Sequence, residues 1–284
     1  MKRTTHFNEV EANDFKVGGV SLVPITEDIT YTVAADGDPA GVNDFDSIDE
    51  AMWALTKIDT TKFMATLSFQ DGEHTFHSDT YTHVFVNSNI ALKSTSADNS
   101  LCTINKVGVY FIQANSSNVT IANLKIDGGL IAGTSLLISS NGCRIRITNI
   151  LATNWPTTYQ LSSSNISFLG DNSITEILGV HGMAFSGSTV GSISSGSLVI
   201  NSTAGTNRSC IWLADGSELS LRNMSLDMSG SSTGVTVSSN SRLTMQSDVT
   251  YTNTATIPTN IPLREIQYDN SLITDGTAAL SFKA

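Results

Sequence analysis

The feature that most constrains this chain is a repeat. Four segments align without an internal gap: Asn115-Ser-Ser-Asn-Val-Thr-Ile-Ala-Asn-Leu124, Asn141-Gly-Cys-Arg-Ile-Arg-Ile-Thr-Asn-Ile150, Asp215-Gly-Ser-Glu-Leu-Ser-Leu-Arg-Asn-Met224 and Ser239-Asn-Ser-Arg-Leu-Thr-Met-Gln-Ser-Asp248. They begin 26, 74 and 24 residues apart. The long interval equals about three steps of 25, so further coils are expected between Ile150 and Asp215, with residues 163–168 and 188–193 as their degenerate strands. Each copy reads as a turn, an apolar-polar-apolar alternation, a corner, and a second short alternation.

Stacking the copies puts Val119, Ile145, Leu219 and Leu243 in one inward column and Ile121, Ile147, Leu221 and Met245 in the next. Thr120, Arg146, Ser220 and Thr244 between them point to solvent, because strand side chains alternate with a period of two. Asn123, Asn149 and Asn223 fall at one corner, where Asn tolerates the left-handed backbone of a sharp bend and stacked amides can bond from coil to coil. After the corner, Leu124/Ile126, Ile150/Ala152 and Met224/Leu226 resume the inward set, and Ser247 breaks the Asn series, which predicts that the solenoid ends there. Each coil buries about four to six aliphatic side chains at roughly 1.5–3 kcal/mol each, too little to offset its own ordering, so stacking is obligatory. The pattern therefore predicts an all-β chain, a right-handed parallel β-helix over residues 61–253.

Composition agrees with a solenoid. Only 14% of the 284 residues are charged, and Ser, Thr, Asn and Gly dominate where a helical bundle would need Ala, Glu, Lys and Leu. A net charge of −11 repels nucleic acid and anionic membrane surfaces, so neither is expected as a partner. The sequence holds no run long enough to cross a membrane and no secretory h-region, which leads to the expectation of synthesis and assembly in a cytoplasm. Cys102, Cys143 and Cys210 form no CxxC pair and are expected to be small buried hydrophobes, not a disulfide framework or a zinc site.

The ends need covers, because terminal coils expose core and unpaired strand edges. Ile48, Ala51, Met52 and Leu55 have helical spacing, Asp46 or Ser47 can serve as N-cap, and Asp49 and Glu50 suit the electropositive first turn. Residues 31–60 are thus a capping region with one α-helix at its centre. Residues 1–30 alternate weakly, with no core of their own, and read as a leader for attachment or trimerisation. Residues 254–284, with Pro258 and Pro262, read as a C-terminal cap or inter-subunit strands.

Tyr31-Thr-Val-Ala-Ala-Asp-Gly-Asp-Pro-Ala-Gly-Val-Asn-Asp-Phe-Asp-Ser-Ile-Asp-Glu-Ala, followed by Ala65-Thr-Leu-Ser-Phe-Gln-Asp-Gly-Glu-His-Thr-Phe76, resembles the entry into the pectate-lyase-like (pectin-lyase-like) β-helix domains of bacteriophage tail fibres and tailspikes. Asn118-Val-Thr-Ile-Ala-Asn-Leu-Lys-Ile-Asp-Gly-Gly129 is similar to a common coil of that superfamily. The resemblance covers residues 31–253 and implies a homotrimeric structural and receptor-binding component of a phage tail. Such a component is carried on the virion, joined to other tail proteins, and contacts host cell-surface polysaccharide. The superfamily also holds lyases and hydrolases, so a polysaccharide depolymerase is the alternative.

A glycosidase needs two carboxylates about 5–9.5 Å apart. Asp127 and Asp227 align in one column but about four coils, or roughly 19 Å, apart. Asp171 and Asp215, accompanied by Glu176 and Glu218, fall about two coils apart, near 10 Å, and are the only weak catalytic candidates; solvated turn aspartates explain them more simply. The sequence leans against an enzyme. No metal is assigned: Asp36, Asp38, Asn43, Asp44 and Asp46 lack EF-hand spacing, and His74 and His77 face opposite sides of a strand. No cofactor is expected. Trp155 and Tyr159, in Asn154-Trp-Pro-Thr-Thr-Tyr159 where a loop would leave the coil, are the candidate carbohydrate-binding residues, although packing of Trp155 over the coil below is the more economical reading.

Overall fold

A computed structural model describes residues 15–17, 20–37, 44–78, 84–108, 110–129, 135–177, 181–202, 209–230, 233–237, 240–245, 250–253, 266–268 and 272–275. The chain is a right-handed parallel β-helix with one α-helix among the described residues. A seven-stranded sheet forms one face, and a fifteen-stranded sheet bends around the other two.

The degenerate strands expected near 163–168 and 188–193 are present, and they supply the register that the repeat leaves open. Arg144 pairs with Asn165, Asn165 with Val190, Val190 with Glu218 and Glu218 with Arg242, so the 74-residue interval resolves into steps of 21, 25 and 28. Val119, Ile145, Ile166, Leu219 and Leu243 stack inward, as do Ile121, Ile147, Phe168, Ile193 and Leu221, all 3% exposed or less. The first column has a gap at Gly191. A Cβ there would lie 2.5 Å from the Phe185 ring, which fills the space from the opposite sheet.

Two corners hold the coils in register. At the first, Asn123, Asn149, Gly170, Ser195 and Asn223 have φ of 57°, 50°, 66°, 68° and 51°, the left-handed region that Asn and Gly adopt at least cost. Asn149 Nδ2 donates to Asn123 Oδ1 at 3.0 Å, and Asn149 Oδ1 accepts from Asp171 N at 3.0 Å. The amide ladder stops at Gly170 because that amide oxygen occupies the place of a side chain, 2.0 Å from where a Cβ would sit. The second corner carries a hydroxyl ladder that the repeat alignment does not single out. Backbone N–H groups of Ser88, Ser164, Thr189 and Ser217 donate to Ser117 Oγ, Thr189 Oγ1, Ser217 Oγ and Ser241 Oγ of the next coil at 3.0–3.4 Å. Cys143 takes a hydroxyl's place, accepting from Ser117 N at 3.5 Å through Sγ.

The cap is built as the sequence predicts. Ser47 Oγ accepts from Glu50 N at 3.3 Å to start the helix Ile48–Leu55, whose Ile48, Ala51, Met52 and Leu55 close the core. Both termini depart from expectation. Ile29–Val33 already pairs with Ala65–Phe69, so the solenoid begins ahead of the cap. Val20–Pro24 pairs with Phe15–Val17 and with Ile58–Asp59, which seats that half of the leader on its own chain and not solely against a partner. Ser247 lies outside the described residues, yet the solenoid does not end there: Ile266–Tyr268 and Leu272–Asp275 add another coil on Arg242–Met245 and Thr250–Asn253. No helix among the described residues is long and apolar enough to cross a membrane.

Candidate functional site

The seven-stranded sheet runs through Val84–Val86, Tyr110–Asn115, Ser135–Ser140, Thr157–Ser162, His181–Ser186, Ser209–Leu213 and Thr233–Val237. Four of its strands begin with a break in alternation. Phe111, Leu136, Thr158 and Cys210 turn inward, and so do the residues that follow them, Ile112, Leu137, Tyr159 and Ile211. Two columns flank this double-inward step: Tyr110, Ser135, Thr157, His181 and Ser209, of which Ser135, Thr157 and Ser209 are covered and Tyr110 and His181 half-buried, and three residues later Ile138, Gln160, Ala184, Trp212 and Thr236.

Side chains of the second column reach back to the first column of the preceding coil. Gln160 Nε2 donates to Ser135 Oγ at 2.6 Å, Trp212 stacks on His181 with centroids 5.1 Å apart and planes 8° from parallel, and Thr236 shares a 2.6 Å hydrogen bond with Ser209. Ala184, a bare methyl, has no such reach to Thr157. There the surface opens into a depression of about 420 Å³, bordered by Gln160 on one side and the Trp212–His181 pair on the other. Ser162 and Ser186 lie at its rim, Ile138 and Leu161 add apolar lining, Ser139 is buried with its hydroxyl turned to Ser164 Oγ, and no carboxylate lines the depression.

Trp155 and Tyr159 are not surface residues. Each is 1% exposed: Trp155 Nε1 donates to Ile126 O at 3.2 Å with its ring against Gly128, and Tyr159 packs edge-on to Phe168 at 5.4 Å. Burial also pushes the Tyr159 hydroxyl pKa up. The carbohydrate assignment is corrected, because the residues after Asn154, at φ 61°, turn into the shortest coil instead of leaving it as a loop. Trp212 is an outward aromatic on this face, as is Tyr110, which is in register with Ser135. The alternation in Ser209-Cys-Ile-Trp-Leu213, with Ile211 and Leu213 inside, is the signal that marks Trp212.

Asp171 is not brought together with Asp215 or Glu218. Asp171 lies at the Asn corner, where its N–H donates to Asn149 and its Oδ1 accepts from Ser197 Oγ at 2.9 Å. Asp215 lies at the hydroxyl-ladder corner with φ 55°, three residues before Glu218. Glu218 is level with Asn165, six residues before Asp171 along the coil, or about 15–20 Å at ~3.3 Å per residue, in addition to two coil spacings. Glu176 belongs to the strand Asn172–Ile177, beyond the Asn corner and so on the Asp171 side of it. Asp127 and Asp227 also do not share a column: Asp127 pairs with Thr153, whereas Asp227 pairs with Val199 in the column of Lys125. Residues added at successive corners displace the later strands by two positions.

The acidic patch before the helix serves local structure. Asp44 Oδ2 accepts from Thr32 N and Asp36 Oδ2 from Thr75 N, while Asp38 and Asn43 lie outside the described residues. No metal-ligating cluster occurs among the described residues. His74 is buried and His77 exposed, as alternation requires, with His77 Nδ1 3.1 Å from Asp49. The three cysteines are free and buried in separate coils, and burial pushes the Cys102 and Cys210 thiols up to about 12.

No family model matches the chain, and no curated protein does. Solved structures do. A pectin methylesterase from carrot matches with a TM-score of 0.56 over 88% of this chain and 84% of its own, at 12% identity. The pectin methylesterase from Aspergillus niger matches at 0.57 over 90% and 88%, again at 12% identity. Escherichia coli ybhc matches at 0.53 over 79% and 72%, at 12% identity. The likeness is one of fold. At that identity it carries no active-site residue across to this chain.

Proposed function

We propose that this chain is the glycan-contacting β-helix of a bacteriophage tail fibre or tailspike, which binds host cell-surface polysaccharide without cutting it. The observation that carries the reading is the depression over Ala184. It has the Trp212–His181 pair on one wall, Ile138, Leu161 and Ala184 as apolar lining, and Gln160, Ser162 and Ser186 as neutral polar groups, with no lining carboxylate. Sugar rings offer C–H faces to aromatic groups and hydroxyls to neutral hydrogen-bond partners, so this surface suits them. Hydrolysis by the pair that the sequence suggests would need Asp171 within about 5–9.5 Å of Asp215, and Asp171 lies beyond the Asn corner, away from Asp215 and Glu218. The phage assignment rests on the resemblance of residues 31–76 to tailspike entry sequences, and with it go a homotrimer, attachment to other tail proteins and a place on the virion.

Incubation with capsule or lipopolysaccharide from a susceptible host tests the reading. Co-sedimentation with intact polysaccharide, and an unchanged size distribution of the glycan, are the expected results. Appearance of oligosaccharides that Asp171→Asn or Asp215→Asn abolishes without loss of fold would replace binding by depolymerisation. Light scattering at micromolar concentration should give three times the 30.2 kDa chain mass; a folded monomer would remove the homotrimer.

A further inference from the structure

We infer that the gap over Ala184 is a subsite for a single uncharged pyranose unit, selected against acidic sugars. This deepens the glycan-binding reading above and rests on it. Two observations carry the inference. The first is that none of the seven strands of this sheet contains Asp, Glu, Lys or Arg, in a chain that is 14% charged. A carboxylate or sulfate brought here would lose hydration and gain no cation, inside the field of a net charge of −11.

The second is the interrupted pattern of coil-to-coil bridges. Gln160 to Ser135, Trp212 to His181 and Thr236 to Ser209 each close the surface between adjacent coils. The one short residue in that series, Ala184, leaves a space bounded by strands two spacings apart, about 10 Å. That width takes one ring, with C–H groups toward Ala184 and Trp212 and hydroxyls toward Gln160, Ser162 and Thr157. Neighbouring units of the glycan would lie over the closed surface on either side.

Ala184→Gln supplies the missing reach to Thr157 and fills the gap from an outward position. Calorimetry with tetra- to hexasaccharides of neutral hexoses and N-acetylhexosamines, and with uronate-containing oligosaccharides of equal length, compares this variant with the native protein. The native protein should bind at least one neutral series, and each uronate series at least tenfold more weakly. Ala184→Gln should lose at least tenfold in affinity with its melting temperature unchanged. If Ala184→Gln does not fold, Trp212→Thr, which copies Thr236, should show the same loss. Native binding with no change in a folded variant overturns the subsite and leaves glycan binding standing elsewhere on the molecule. Equal affinity for uronate oligosaccharides overturns the charge selection, and no binding to any series overturns the subsite and the glycan-binding reading together.

Discussion

The seven-stranded sheet and the fifteen-stranded sheet share an interior but not an exterior. Inward columns of both are aliphatic and aromatic, and they merge in one core. Outward, the long sheet is studded with exposed Lys93, Arg144, Arg146, Glu218, Arg222 and Arg242. The short sheet has no charge, and its outward side chains touch from coil to coil. Charged outward columns protect a solenoid face from edge and surface association. A face without them keeps its surface available for a neutral ligand. Fold is thus set by the inner half of the alternation, and the proposed glycan contact lies on the outer half of one sheet.

The sharpest way to break this comparison is to move a charge from outside to inside. Ile147→Asp puts a carboxylate in a fully buried column and should cost more than about 5 kcal/mol, so that no cooperative melt remains, whereas Arg146→Asp should stay within about 0.5 kcal/mol. Equal losses in circular-dichroism melts would mean that the register is wrong. At the corner joining the two sheets, Ser217→Ala removes one of the two acceptors of the buried Thr189 N–H, which keeps its bond to Ser186 O, and should cost about 0.5–1.5 kcal/mol. On the outer short sheet, Gln160→Ala removes the bond to Ser135 and should cost under about 1 kcal/mol, because water can replace it.

The smallest effect is a pH dependence at the cap. Burial holds the His74 imidazole below its usual 6.5, against the opposing pull of the Gln70 carbonyl and Asp36. The unfolded chain therefore binds the proton more tightly than the folded one, and stability falls as pH drops below about 6.5. His74→Gln should flatten that part of the melting-temperature profile; an unchanged slope would place the acid sensitivity elsewhere.

Much of this was legible in the residues. The alternation gave Val119, Ile145, Ile147 and Leu221 their places, and Asn123, Asn149 and Asn223 do hold left-handed corners. Intervening coils were harder to read because they depart from the pattern for local reasons: Gly191 yields to Phe185, and Gly170 to the Asn149 amide. Corner insertions are invisible to a gapless alignment, which is why Asp127 and Asp227 seem to share a column. The site itself was not read. Four of its strands begin with two inward residues in succession, which shifts the phase of the alternation, so in Ser209–Leu213 only the Ile211-Trp212-Leu213 step marks the outward aromatic. Trp155, by contrast, looks like a loop aromatic because Pro156 follows it, yet it fills the inside of a tight turn.

Three tryptophans allow the central claim, that a glycan sits on the uncharged sheet at the Ala184 gap, to be measured directly. Trp155 is buried, Trp53 is 61% exposed on the capping helix, and Trp212 borders the gap. In a Trp53→Phe background, titration with a neutral oligosaccharide that the protein binds should change the Trp212 emission. The change should saturate at the same concentration as the calorimetric isotherm. Binding that saturates in the calorimeter while Trp212 emission stays constant would contradict the account.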